Sequence, residues 1–293
     1  KKMIKKGIIL SGGMGTRVGP STKAISKQLI PIADKPIIFY SLSILMLLDI
    51  KNILIIVKAD DISSYKKLLG NGKSFGIKIS YIIQKSPKGL PDAFLLGKKF
   101  IDKKPVALIL GDNFFHGQSL VELLKGVSKN FKSGANIFTY NVHNPQDYGV
   151  VESSKNSIQI VEKPKKTSSK KAITGLYFFD HNVSKLSKKL KRSKRNELEI
   201  VDLLKIYLVL KKLNITELGR GSAWLDTGTS RDIFRASNYV DIIQERQNQK
   251  VGCLEEIAFK KKWINKNLLR SRIKFYGKNE YSEYLIKILN EKI

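Results

Sequence analysis

Gly7-Ile-Ile-Leu-Ser-Gly-Gly-Met-Gly-Thr-Arg17 is a short apolar run that empties into a glycine-rich turn closed by a cation. The run predicts a buried strand leaving the core into a loop. In open α/β sheets, ligands bind beyond such strand ends. Glycines let backbone N–H groups approach a phosphate closely, and the Arg17 guanidinium can hold one with a bidentate fork. The stretch is not a Walker loop, which needs Gly-Lys-Ser/Thr after four spacers. It is not a dinucleotide fingerprint either, because Val18 stands where the last glycine belongs. Such a turn is often only a turn. Lys27, in Ser26-Lys-Gln-Leu-Ile-Pro31, adds a second cation; a glycine loop with two cations would make a triphosphate cradle, while Lys27 alone reads as a solvated lysine in so basic a chain.

Outward from this stretch, strand and helix patterns alternate. Strands are expected at 53–57, 77–83, 106–110 and 136–140, and helices at 37–48, 63–69, 92–100 and 120–131, the first led by Pro36. Strands separated by helices imply crossover connections and a mostly parallel sheet. The second half reads as a strand pair, 148–152 and 157–162, around the polar turn Ser153–Asn156. A strand at 175–180, an exposed charged connection at 188–197, a helix at 200–212, a strand at 223–226 and helices from Ser230 to Ile293 follow. The chain therefore divides into a sheet-centred core, 1–228, and a helical extension, 229–293, that is not an independent domain.

The 293 residues carry a net charge of +29 and 42% hydrophobic residues. The apolar content excludes disorder for most of the chain. A charge this positive raises nucleic acid or an anionic membrane as partners. The excess is mostly lysine scattered in pairs and triplets, as compositional drift produces, and no aromatic-basic recognition motif accompanies it. The field still favours phosphate-bearing small molecules. A single cysteine, Cys253, excludes an internal disulfide and argues against a thiolate zinc site. The three histidines lack metal-pair spacing. Gly7–Leu10 is too short for a signal-peptide core and Ile37–Leu48 too short to span a bilayer, so the expectation is a soluble, cytoplasmic protein without membrane or nucleic-acid partners.

The glycine loop Gly12–Arg17, with Ser26–Pro31 and Lys35-Pro36, resembles the signature of the sugar-phosphate nucleotidylyltransferases. Gly111-Asp-Asn113, Asp147-Tyr-Gly-Val-Val151, Glu162-Lys-Pro164, Thr174-Gly-Leu-Tyr177, Glu197-Leu-Glu-Ile200 and Trp224-Leu-Asp-Thr-Gly228 follow in family order and resemble its thymidylyltransferase branch. Cys253–Ala258 and Lys262–Ile264 resemble the long form of that branch. No one motif is specific; the combination is, and it covers nearly the whole chain.

The resemblance implies a Rossmann-like nucleotidyltransferase fold with a mixed, mostly parallel sheet. It implies Mg²⁺-dependent transfer from dTTP to glucose 1-phosphate, giving dTDP-glucose and pyrophosphate at the start of dTDP-rhamnose-type synthesis. Asp112 and Asp226, each ending an apolar run, would hold Mg²⁺, which takes one or two carboxylates plus substrate phosphates; each could also be a plain turn residue. The catalytic set would be Arg17, Lys27, Asp112, Lys163 and Asp226. The nucleotide would meet Leu10, Gly12, Gly13, Gly15, Thr16 and Arg17, with Gln28 near base and ribose and Gln84, Gly89 and Leu90 at the pyrimidine. The sugar phosphate would meet Asn113, Tyr148, Gly149, Glu162, Lys163, Thr174, Tyr177, Arg195 and Trp224. Glu162 and Lys163 are neighbours on a strand, so both reach one ligand only if the strand bends there, as Pro164 suggests. Asn196 follows Arg195 where the family usually has glycine. The long form implies a homotetramer with isologous contacts and a second nucleotide-sugar site near Gly117, Arg220 and Glu256. A UTP- or CTP-dependent relative, a degenerate regulatory paralogue and a basic nucleic-acid-binding module remain as alternatives.

Overall fold

A computed structural model describes residues 4–154 and 157–291. Lys1–Met3, half of the basic N-terminal stretch, Lys155 and Asn156 of the expected polar turn, and Lys292 and Ile293 at the end of the expected last helix lie outside the described residues. Along the chain run β1 (Lys6–Ser11), α1 (Ser21–Ala24), β2 (Pro31–Ile32), β3 (Lys35–Pro36), α2 (Ile37–Leu47), β4 (Asn52–Val57), α3 (Ile62–Leu69) and β5 (Lys78–Ile83). Then come α4 (Asp92–Leu96), α5 (Lys98–Ile101), β6 (Val106–Leu110), β7 (Asn113–Gly117), α6 (Leu120–Asn130), β8 (Ala135–Asn141), β9 (Gly149–Ser153), β10 (Ile158–Glu162) and β11 (Lys171–Phe179). The chain ends with α7 (Val183–Ser187), α8 (Ile200–Val209), β12 (Leu213–Glu217), β13 (Ser222–Asp226), α9 (Ser230–Gln247), α10 (Leu254–Lys260), α11 (Lys266–Tyr276) and α12 (Glu280–Asn290).

The central sheet has the order β10-β9-β11-β6-β1-β4-β5, with β8 joining β11 and β12 joining β8. β1, β4, β5, β6, β8, β9 and β12 run one way; β10 and β11 run against them. The fold is thus α/β with a mixed sheet. Successive residues of a strand face opposite sides, and here both sides are dry. Ile9, Ile55, Val57 and Ile109 pack into one cluster with α2, and Ile8, Leu54, Ile56 and Leu108 into another with α4 and α8. That is why these strands read as continuous apolar runs. α2 is buried from Ile37 to Met46, serines included, because the sheet covers one side and α10 the other.

Four departures from the sequence expectation have local causes. Gly97 divides the expected 92–100 helix into α4 and α5, where a Cβ would press on Ala93 carbonyl oxygen and on Ile8. β7 forms in what reads as a stop after β6, because β13 supplies an antiparallel partner. β11 begins at Lys171, four residues early, pairing with Asn141 of β8. The 200–212 helix stops at Val209; Lys211 takes φ +54° and the chain turns into β12. The helices beyond residue 229 pack on the chain's own core: Leu254, Ala258, Ile264, Leu269 and Leu285 share one cluster with α2 and the sheet. α9 buries Ile233, Ala236 and Val240 and leaves Phe234 and Ile242 exposed, 64% and 55%. Among the described residues no helix is long and apolar enough to cross a membrane.

Gly134 tests this architecture away from the strand ends where the glycine loop lies. It has φ +87°, and a Cβ there would lie 2.1 Å from the Lys212 carbonyl oxygen. Gly134→Ala should therefore lower stability by about 2 kcal/mol or more, read as a lower urea midpoint at unchanged slope.

Candidate active site

The glycine loop, the Gln84 loop and Asp112 all follow strands of the parallel set, β1, β5 and β6, so one edge of the sheet gathers them. Ser11 and Gly12 are buried, while Gly13, Met14, Thr16 and Arg17 are exposed. Leu10, half-buried, is the last residue but one of β1 and pairs with Ile56 and Leu110. Gly15, at φ +63°, turns the chain into a 3₁₀ turn over Thr16–Val18, held by Thr22 Oγ1, which donates to the Gly15 carbonyl at 2.9 Å. The Arg17 guanidinium lies over Gly228, where a Cβ would come within 3.2 Å of it. The loop is thus docked against the end of β13.

Lys27 is almost fully buried and forms an ion pair with Asp112. The β7–β13 register sets Asp226 opposite Asn113, the residue after Asp112. Thr227 ties the two strand ends, donating from N and Oγ1 to the Asp112 carbonyl at 3.2 and 2.7 Å. Burial, and next the Asp112 carboxylate, push the Asp226 carboxyl up to about 6 against the pull of Lys27 and Arg17. Two crowded carboxylates of this kind are what a hard divalent cation relieves. Among the described residues no cluster of three or more His, Cys, Asp or Glu side chains competes for a metal. The pair therefore fits an ion whose remaining ligands come from phosphate and water.

Asn113 is 1% exposed, and its amide is hydrogen-bonded inside the protein. Oδ1 accepts from Trp224 Nε1 at 2.6 Å and from Gly175 N at 3.1 Å; Nδ2 donates to Asp112 Oδ1 at 3.2 Å. Its place is that of an organiser behind Asp112. Trp224 packs edge-on to Tyr140 and tilted against Tyr148, and so walls the site with Tyr148.

Across the site, Gly149 pairs with Glu162, and a Cβ on Gly149 would lie 3.2 Å from the Glu162 carboxylate. The bend expected after Glu162 is present. Lys163 adopts φ +44°, a left-handed conformation rare for lysine, and its N–H donates to the Tyr148 carbonyl at 3.0 Å. Burial pushes the Glu162 carboxyl above its ordinary value, with Glu199 repelling it and Lys163 and Arg195 attracting it. Arg195 reaches Glu162 at 3.4 Å and Glu199 at 2.8 Å. Asn196 takes φ +60°, a conformation that asparagine tolerates better than most residues, so it can stand for glycine there. Thr174 is buried with Oγ1 unpartnered, and Tyr177 is buried in the core, stacked on Phe179.

At the far end, Gln28 is buried and its Oε1 accepts from Ser26 Oγ at 3.0 Å. Gly89 meets Leu198 in a bridge and Leu90 is half-buried beside it. Gln84 Nε2 donates to Asp92 Oδ2 at 2.8 Å. Sequence reasoning gave Asp92 no role beyond opening a helix; the only signal was its place three residues after Gly89.

The sequence profile of the nucleotidyl transferase family matches residues 6–241. The chain is 46% identical over 288 residues to a glucose-1-phosphate thymidylyltransferase of Neisseria meningitidis, covering 98% of this chain and 100% of that one. It is 43% identical over 289 residues to one of Mycolicibacterium smegmatis, with 98% and 100% covered. A Bacillus anthracis protein assigned as a glucose-1-phosphate thymidylyltransferase, crystallised with a sucrose, superposes with a TM-score of 0.74 at 34% identity over 80% of this chain and 94% of that one. A UDP-glucose pyrophosphorylase complexed with UDP-glucose superposes at 0.73 with 25% identity, over 82% and 100%.

Asn113→Ala removes one acceptor and leaves the Trp224 indole and the Gly175 amide as buried unpaired donors. It should cost about 2–4 kcal/mol of stability, measured by urea unfolding.

Proposed function

The chain belongs to the nucleotidyl transferase family, and from that premise we propose that it transfers a thymidylyl group from dTTP to glucose 1-phosphate, releasing pyrophosphate and forming dTDP-glucose. The observation that carries this reading is the convergence of Arg17 and the glycine loop on the Lys27–Asp112 pair and Asp226 at one sheet edge.

A phosphate oxygen of glucose 1-phosphate attacks the α-phosphorus of dTTP, and the bond to pyrophosphate breaks. No covalent enzyme intermediate is required, so catalysis is positioning and charge neutralisation. The N–H groups of Gly12–Thr16 and the Arg17 fork hold the departing pyrophosphate, and Arg17 neutralises its developing charge. Lys163, turned out of its strand, and Arg195, aimed by Glu199, align the attacking phosphate. Glu162 accepts from sugar hydroxyls, its carboxylate packed beside Val201 where Gly149 lacks a Cβ, with Tyr148, Thr174, Tyr177 and Trp224 shaping that side. Gln84, Gly89 and Leu90 receive the base and Gln28 backs the ribose side. Asp112 and Asp226 would hold Mg²⁺, which when bound supplies charge neutralisation on the phosphate oxygens.

The same proposal covers organisation. Residues 1–228 form the catalytic core, and 229–293 are an extension whose exposed Phe234 and Ile242 suit a subunit contact in a homotetramer. A cavity of about 310 Å³ behind β7, lined by His116, Gly117, Cys253 and Glu256, suits a second nucleotide-sugar site; Arg220 adjoins Gly221, which packs on Gly117. The enzyme would act in the cytoplasm, where its nucleotide is made, and feed dTDP-rhamnose-type sugar synthesis.

Pyrophosphate release from a panel of nucleotides and sugar 1-phosphates tests the reaction: dTTP with glucose 1-phosphate should lead, and a panel without turnover contradicts it. Arg17→Ala should then reduce kcat by about 100-fold, since the lost contact strengthens in the transition state. Asp112→Asn and Asp226→Asn should each raise the Mg²⁺ concentration for half-maximal rate by about tenfold or more, read by titration at saturating substrates.

A further inference from the structure

Gln84 closes β5 with its side chain only 5% exposed, and Asp92, its partner across the loop, is 8% exposed. The amide Nε2 donates to Asp92 Oδ2 at 2.8 Å. The other end of the same amide faces the glycine loop, where a Cβ on Gly12 would lie 2.3 Å from Gln84 Oε1. Asp92 is itself fixed, in the first turn of α4, with its N–H turned back on the Gly89 carbonyl at 3.3 Å. A glutamine amide alone is ambiguous, since its oxygen accepts and its nitrogen donates and the two ends have nearly the same shape. An ionised carboxylate removes that ambiguity, because it only accepts. Turning the Gln84 amide over would set oxygen against oxygen in a buried place and forfeit a charge-assisted hydrogen bond.

We infer that Asp92 is a positioning residue: by holding the Gln84 amide in one orientation it makes the site select a pyrimidine that donates from N3. The inference rests on the thymidylyltransferase reading above and adds to it the origin of base choice. One Nε2 hydrogen belongs to Asp92; the second hydrogen and Oε1 form the edge left for the base. Thymine and uracil match that edge, with N3–H donating to Oε1 and a flanking carbonyl accepting from Nε2. Cytosine carries an acceptor at N3 and a donor at the 4-amino group, the reverse order, and meets a fixed amide out of register. Discrimination of this kind is strong because the wrong base leaves buried polar groups unpaired.

The test compares dTTP with dCTP, which share the sugar, in the wild type, in Asp92→Asn, in Gln84→Leu and in the double variant, with thermal melting to establish that each is folded. Asparagine keeps the shape of Asp92 but lets the two amides turn over together. Asp92→Asn should raise KM for dTTP about tenfold with kcat within about threefold, and should lower the dTTP-to-dCTP ratio of kcat/KM about tenfold. In the Gln84→Leu background the same change should leave that ratio unaltered. An unaltered ratio in folded Asp92→Asn overturns the inference, as does the same loss of discrimination in both backgrounds. The wild type carries an independent arm: 3-methyl-dTTP, which has no N3–H, should be used at least about tenfold less well than dTTP, and equal use overturns the inference whether or not the variants fold. A wild type that turns over no pyrimidine nucleotide contradicts the proposed function itself, whereas a dTTP-using wild type with these other outcomes contradicts only the place given to Asp92.

Discussion

The Asn113 side chain is the joint on which the site hangs. Its Oδ1 takes the Trp224 indole from β13 and the Gly175 amide from β11, and its Nδ2 reaches Asp112. One amide thereby fastens the small β7–β13 sheet to the large one and fixes the direction of a carboxylate. The Ser41 hydroxyl adds to the joint from α2, its one proton lying between the Leu110 and Asn113 carbonyls, 2.9 and 3.0 Å from Oγ. Such a buried polar network stabilises only because its members are satisfied. It also explains how two aspartates more than a hundred residues apart come to share one strand end: Asn113 and Asp226 are a registered pair.

The charges in front of this joint are arranged in aimed sets. Lys27 is held by Asp112 and Arg195 by Glu199 and Glu162. A flexible cation held by a carboxylate has already lost much of its rotamer freedom, so less is lost when phosphate arrives. Lys163 follows β10 in a left-handed conformation, so the alternation of the strand does not extend to it. Strain of this sort is held where function needs a direction that regular structure denies. The +29 net charge sets up a longer-range field that favours anionic ligands in general.

The first half of the fold was legible because its strands are buried on both faces and its helices carry proline and glycine punctuation. β7 and β12 were not, for a shared reason: Asn113–Gly117 and Leu213–Glu217 become strands only because β13 and β8 lie alongside, and tertiary pairing leaves no periodicity in five residues. The charged candidates Arg17, Lys27, Asp112, Lys163 and Asp226 stand in motifs of the sequence; what the sequence does not show is how they are held, Lys27 by Asp112 and Arg17 over Gly228. Asn113 stands in one of the same motifs, and only the folded chain shows that its Oδ1 takes Trp224 and Gly175 while its Nδ2 reaches Asp112. Asp92 reads as a helix-opening acid, favoured there by the helix dipole, and only the folded chain shows that it faces Gln84. The dependence of Gly12 on Gln84 and of Gly228 on Arg17 is equally a matter of contacts between distant segments.

On the proposed reaction, one sheet edge would hold base, phosphates, metal and sugar in that order, from Gln84 across Arg17 and the two aspartates to Glu162. A crystal structure with dTDP-glucose and Mg²⁺ tests it most directly. It should show the thymine edge on Gln84, the diphosphate between the glycine loop and Lys163, the glucose against Glu162, and an ion touching Asp112 and Asp226. A nucleotide seated elsewhere, or an ion bound without either carboxylate, would contradict it.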